Sequence, residues 1–186
     1  MTHRYWSPYN PGLRDFLQTR AVKIFLTGNP GIGKSTAAQK IVAITKKECF
    51  GFVTKRVPNG FDIIDLYTGE SAPIARRSPD GRLEIFPQSF ETLGVESLNY
   101  AKKPNELVLM DELGRFELLA PKFTEKVIEV IRGPLSVIAV VKEESNKFLD
   151  VVRMLAEAHL FRVTPYNREK IVLDILEFIR EDVLVS

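Results

Sequence analysis

The residues Gly28-Asn29-Pro30-Gly31-Ile32-Gly33-Lys34-Ser35 bring together glycine, lysine and a hydroxyl in the spacing G-x-x-x-x-G-K-[ST]. Glycines in such a run let successive backbone N–H groups turn toward one centre, a concave anion site at the start of a helix. Lys34 supplies the cation that reaches β- and γ-phosphates, and the Ser35 hydroxyl is a ligand for Mg²⁺. Thr36 is placed to touch an α-phosphate. The pattern carries this chemistry only if a strand precedes it and a helix follows.

A phosphate cradle of this kind needs an acidic partner at the end of a buried strand. Leu107-Val108-Leu109-Met110-Asp111-Glu112 is an apolar run closing on two carboxylates. Asp111 is expected to hold Mg²⁺ through water, and Glu112 to orient and polarise an attacking water. Phosphoryl chemistry also uses a cation besides Lys34. The candidates are Arg56, Arg76, Arg77, Arg115 and Arg168. Arg115 and Arg168 are favoured because each falls just past a strand end, on the side where open α/β sheets bind ligands.

The elements around these residues alternate. Residues 21–27 read as a buried strand and 34–47 as a helix with Ala37, Ala38, Ile41, Val42 and Ile44 inward. From 51 to 87 the pattern changes to short strands with tight turns, beginning with a hairpin about Pro58-Asn59-Gly60. Ser89 is expected to cap a helix running to about Ala101. A strand at 106–110, a helix at 118–131 with Pro121 in its first turn, a strand at 135–141, a helix at 146–156 and a strand at 160–163 follow. Thr164-Pro165 reads as the start of the last helix, with Ile171, Ile175, Leu176 and Ile179 on its apolar face. Strands alternating with helices imply a parallel sheet covered on both faces. The adjacency of Asp111 and Glu112 adds a topological expectation. Among P-loop proteins with a catalytic glutamate there, an additional strand lies between the two motif strands, so 135–141 is expected between 21–27 and 106–110. Residues 1–20 read as an N-terminal extension in which Leu13, Phe16 and Leu17 suggest a short docking helix, and 21–186 as one domain.

Composition narrows the partners. The chain has 186 residues, 45% hydrophobic and 27% charged, enough for one compact core, with a net charge of +2. That near-balance argues against bulk nucleic-acid binding. One cysteine, Cys49, and two separated histidines, His3 and His159, offer neither an intramolecular disulfide nor a zinc cluster. Without a signal core or a span-length apolar run, a cytoplasmic protein is expected, and a monomer.

Taken together, Phe25-Leu26-Thr27 with the glycine loop through Thr36, Gly51-Phe52-Val53-Thr54, Gly60-Phe61-Asp62-Ile63, Met110-Asp111-Glu112-Leu113-Gly114-Arg115-Phe116-Glu117-Leu118 and Val163-Thr164-Pro165-Tyr166-Asn167-Arg168 resemble the small P-loop nucleoside-triphosphatases also called cancer-related NTPases. The resemblance runs from about Val22 to Ile179. It implies a three-layer, RecA-like α/β fold of the additional-strand, catalytic-glutamate type, with an antiparallel β-hairpin insert at about 51–87. It also implies slow, Mg²⁺-dependent hydrolysis of nucleoside triphosphates, ATP and GTP among them, with broad base choice. Glu112 falls on the family's catalytic glutamate, Arg115 on a position where lysine is common, and Glu117 on an acidic position of open role. Asn29 stands where the family often has proline, and Val141-Lys142-Glu143-Glu144 is more charged than the usual segment.

Two other readings use the same loop. A small nucleotide or nucleoside kinase would employ Arg56, Arg76, Arg77, Arg82, Lys102 and Lys103 to bind an acceptor; no arginine-rich lid is evident in the sequence. A nucleotide-dependent switch acting with an RNA or protein partner would employ the aromatic residues Phe52, Phe61 and Tyr67.

Overall fold

The computed structural model describes residues 21–155 and 158–184, with side chains through residue 179. The expected extension at 1–20, with Leu13, Phe16 and Leu17, lies outside the described residues. One sheet organises the fold. Its strands are β1 (Lys23–Thr27), β2 (Cys49–Val57), β3 (Gly60–Asp65), β4 (Ser71–Arg77), β5 (Leu83–Ile85), β6 (Leu107–Leu113), β7 (Ser136–Val141) and β8 (Ala158–Arg162). They lie in the order β5-β4-β3-β2-β6-β7-β1-β8. The helices are α1 (Lys34–Thr45), α2 (a helical segment over 87–97 with a π-helical turn at Phe90–Gly94), α3 (Pro121–Arg132), α4 (Lys147–Met154) and α5 (Ile171–Leu184).

β7 is parallel to both motif strands, pairing Ile138 with Ile24 of β1 and with Leu109 of β6. The additional strand therefore lies where the Asp111-Glu112 pair placed it. β2 carries two pairings, since Phe52 is opposite Met110 of parallel β6 and Asp65 of antiparallel β3. The short strands expected as an insert are thus continuous with the central sheet. Gly51 makes this close approach feasible: its φ is +103, and a Cβ there would fall on the Leu109 carbonyl oxygen.

Period-two alternation builds the other two layers. Phe25, Phe52, Val137 and Ala139 point to one face, where Phe90, Phe123, Val127, Phe148 and Leu149 of α2, α3 and α4 complete a core. Ile24, Leu26, Leu109, Ile138 and Val140 point to the other, against Ala37, Ala38 and Ile41 of α1 and Ile171, Ile175 and Ile179 of α5. The Phe123 ring packs 5.3 Å from Phe52 and 5.1 Å from Phe90, centroid to centroid. Aromatic contacts of this kind tie α2 and α3 to the sheet.

Three helix starts differ from expectation. Leu118 lies in a 3-10 turn over Phe116–Leu119, and α3 opens at Pro121 itself. Ser89 lies inside the helical segment and donates its hydroxyl to the Pro73 carbonyl at 2.6 Å, tying α2 to β4; the segment opens at Pro87. Thr164-Pro165 opens a series of turns, and helix begins at Ile171. Asn167 Oδ1 accepts from the Thr164 amide at 2.7 Å, and Asn167 Nδ2 donates to the Arg162 carbonyl at 2.9 Å. These side-chain bonds compete with continuous helix, as asparagine and threonine characteristically do. Asn146, by contrast, caps α4 by accepting from the Leu149 amide at 2.8 Å. No described helix is long and apolar enough to cross a membrane.

Candidate active site

The loop between β1 and α1 holds its shape through Gly28, Gly31 and Gly33, at φ +140, +74 and +107. Ile32 donates its amide to the Asn29 carbonyl at 3.3 Å, which closes the tight turn. Lys34 opens α1 and is only 7% exposed. Its ammonium folds back on the loop, donating to the carbonyls of Gly28 at 3.0 Å and Asn29 at 3.1 Å. One turn of side chain away, Ser35 Oγ donates to Asp111 Oδ1 at 2.8 Å. Strand β1 and strand β6 are separated by β7, so this bond spans the gap across the sheet end.

A bulge shifts the β6–β7 register between Asp111 and Leu113. Asp111 is buried, while Glu112 is half-buried and faces two ammonium groups. Glu112 Oε1 lies 3.5 Å from Lys34 Nζ, and Glu112 Oε2 lies 3.9 Å from Lys142 Nζ. Burial raises the Asp111 pKa to about 6; the Ser35 hydroxyl and Lys34 pull it down, and Glu112 pushes it further up. Just beyond, Glu117 is buried beneath the loop after β6 and accepts from the Gly114 amide at 3.1 Å. Burial lifts its carboxyl to about 7, opposed by that bond and by Lys142.

A cavity of about 660 Å³ opens over the loop. Gly28, Pro30, Gly31, Gly33, Lys34, Ser35 and Thr36 form its floor, and Arg56, Phe61, Glu112, Lys142, Glu143 and Glu144 its far wall. A smaller hollow of about 130 Å³ adjoins it, sharing Ser35, Arg56, Phe61, Glu112 and Lys142 and adding Thr54, Asp111 and Glu117. The Thr54 hydroxyl is buried there with no hydrogen-bond partner among the described residues. The structure thus gathers Lys34, Ser35, Asp111 and Glu112 within contact distance. It does not bring the favoured arginines to the same wall. Arg115 is exposed, its guanidinium 5.8 Å from the Phe116 ring centroid, and Arg168 is exposed and pairs with Glu169 at 3.2 Å. Of the five arginine candidates, Arg56 lines both spaces. Arg76 instead pairs with Asp62 at 2.5 Å and Arg77 donates to the Gly81 carbonyl at 2.7 Å. Lys142 was legible in the sequence only as extra charge after the third apolar strand. The signal that could have found it is its place: the C-terminal end of the strand between the two motif strands is where side chains enter the ligand crevice.

The donor set also bears on Mg²⁺. Ser35 and Asp111 offer two adjacent oxygen atoms beside the phosphate cradle. Among the described residues no cluster of three or more His, Cys, Asp or Glu forms a cage. One hydroxyl and one carboxylate beside a phosphate site suit a hard ion that keeps several waters and takes its remaining ligands from substrate. The residues present fit Mg²⁺.

A phosphate-cradling loop between the first strand and helix, facing an acidic strand end, defines the P-loop class of α/β proteins; here one strand, β7, is interposed. Comparison with known proteins narrows it. A sequence model of the NTPase family matches residues 23–176. Nucleoside-triphosphatase THEP1 of Methanocaldococcus jannaschii is 34% identical over 168 residues, covering 83% of this chain and 95% of its own. The protein of the same name from Thermotoga maritima is 31% identical over 169 residues, covering 86% and 96%. The crystal structure of THEP1 from the hyperthermophile Aquifex aeolicus superposes with a TM-score of 0.74 at 32% identity, covering 85% of this chain and 99% of that one. The chain belongs to the NTPase family, and its fold is the family's three-layer α/β arrangement with a mixed sheet.

Proposed function

We propose that this protein hydrolyses nucleoside triphosphates, ATP and GTP included, to the diphosphate and phosphate, in an Mg²⁺-dependent, slow reaction of broad base choice. The observation that carries the reading is the convergence of Lys34 and the Ser35–Asp111 pair on Glu112 at the mouth of the phosphate cradle. Residues Gly28 to Thr36 bind the phosphates through backbone amides, with Lys34 released from the Gly28 and Asn29 carbonyls to meet the β- and γ-phosphates. Ser35, and Asp111 through water, would hold Mg²⁺, which would supply positive charge to neutralise the leaving diphosphate. Glu112 accepts a proton from a water that attacks the γ-phosphorus. As that O–P bond forms, the bond to the bridging oxygen breaks and its electron pair leaves with the diphosphate. Arg56, which lines the wall facing the loop, is better placed than Arg115 or Arg168 to meet the transferring phosphoryl group. The catalytic domain comprises residues 21–186 and acts as a cytoplasmic monomer.

The test is phosphate release from ATP, GTP, CTP and UTP with Mg²⁺, wild type beside Glu112→Gln. Release from several triphosphates by wild type, lost in the variant while nucleotide binding persists, is expected. Label transfer from γ-labelled ATP to added nucleosides or monophosphates, in place of phosphate release, would instead identify a phosphotransferase.

A further inference from the structure

Once a triphosphate binds, Glu112 must share Lys34 with the phosphates. In the structure Lys34 already divides its donors between Glu112 and the carbonyls of Gly28 and Asn29. The phosphates that Lys34 must reach compete for the same three hydrogens. When Lys34 turns to them, the Glu112 carboxylate stands beside an anionic substrate and would be driven away from it by like charge. A second cation can oppose that retreat, and Lys142, with its ammonium 3.9 Å from Glu112 Oε2, is in position to do so.

We propose that Lys142 is a positioning residue for Glu112: it keeps the carboxylate directed into the cavity after Lys34 has moved to the phosphates. The assignment rests on the hydrolytic reading. Three contacts fix Lys142. Its amide donates to the Leu113 carbonyl at 3.0 Å, continuing the β6–β7 pairing past the bulge. Its stem runs over Gly114, where an added Cβ would meet Lys142 Cδ at 3.0 Å. Its ammonium lies 5.4 Å from the Phe116 ring centroid, within cation–π range. The stem is thus held by backbone and ring, and the ammonium is left facing Glu112 Oε2 at 3.9 Å, on the wall shared by the two cavities. Because Lys34 addresses Oε1 and Lys142 addresses Oε2, loss of the first partner leaves the second in place.

The experiment compares wild type, Lys142→Met and Lys142→Arg in steady-state hydrolysis of Mg·ATP, with the affinity for a non-hydrolysable ATP analogue and the melting temperature measured on each. Methionine preserves the stem against Gly114 and Phe116 and removes the charge. A kcat lowered about tenfold to a hundredfold in Lys142→Met, with analogue affinity changed less than about threefold, is expected from loss of an outer positioning partner. Lys142→Arg should recover most of that loss, and all three proteins should melt alike, because the side chain is part-exposed. A kcat within twofold of wild type in Lys142→Met overturns the assignment and leaves the hydrolytic reading intact. So does a loss that appears in analogue affinity alone. Absence of phosphate release from wild type overturns the hydrolytic reading itself, and the assignment falls with it.

Discussion

Ser35 and Asp111 are 76 positions apart in the chain, yet their side-chain oxygens lie 2.8 Å apart in the folded protein. The hydroxyl donates and the carboxylate accepts, across the end of a sheet in which β7 separates the strands that lead to them. Interposing β7 widens the gap between the glycine loop and the acidic strand end. The bulge after Asp111 then lets Glu112 turn toward Lys34 as well. A cavity of about 660 Å³ lies beside the loop, with Glu112 on its wall.

Removing the loop cation acts on binding. Lys34→Ala should weaken Mg·ATP affinity by about a hundredfold, on the scale of a buried, charge-assisted contact worth up to about 3 kcal/mol. Isothermal titration would measure it. The substitution also strips Glu112 of its nearer cation. Unchanged affinity would mean that the phosphates bind elsewhere.

Asp111→Asn and Ser35→Ala should each raise the Mg²⁺ concentration required for half-maximal turnover by about tenfold or more, since each removes one of two protein oxygens available to the ion. Titrating Mg²⁺ at fixed nucleotide tests this. If both variants keep the wild-type Mg²⁺ dependence, these residues do not hold the ion.

Arg56→Ala should lower kcat by about a hundredfold or more while Arg115→Ala and Arg168→Ala stay near wild type, because a cation serving the transition state contributes in the range of about 10³–10⁵ when fully engaged. Steady-state kinetics on the three variants side by side discriminates them. An equal effect at Arg115 would return the assignment to the position favoured by sequence.

Glu117 gives a pH dependence of stability with a definite sign. Its folded pKa of about 7 lies above the ordinary 4.5, so folding favours the protonated form. That contribution is fully present below about pH 4.5 and is lost as the pH rises through about 7. The Gly114 amide and Lys142 reduce the penalty on the anion, and Glu112 adds to it. Glu117→Gln carries no charge at any pH. Its stability relative to wild type should therefore increase by on the order of 3 kcal/mol between pH 4.5 and 8. Denaturant unfolding of both proteins across that range is the measurement, and a constant difference would mean that Glu117 is not titrating in the window.

The local part of this protein was written in its sequence. Glycine spacing from Gly28 to Gly33, the lysine and serine that follow, and an apolar run ending in Asp111-Glu112 are short-range patterns, and their chemistry depends on residues a few positions apart. The continuous apolar runs of β1 and β7 likewise show a sheet buried on both faces, and the adjacent carboxylates, read with the strand order of P-loop proteins that carry a catalytic glutamate there, led to the expectation of β7 between the motif strands. What only the tertiary structure decided is which distant charges share a wall. Arg115 and Arg168 follow strand ends yet remain exposed outside the cavity lining, whereas Arg56 reaches it near the end of β2, opposite Phe61 of β3, which lines the same wall. Lys142 meets Glu112 because β6 and β7 are neighbours with a register shift at that point. Electrostatic roles depend on distances of a few ångströms between segments far apart in the chain, and those distances are set by strand order and bulges rather than by the residues' own neighbours.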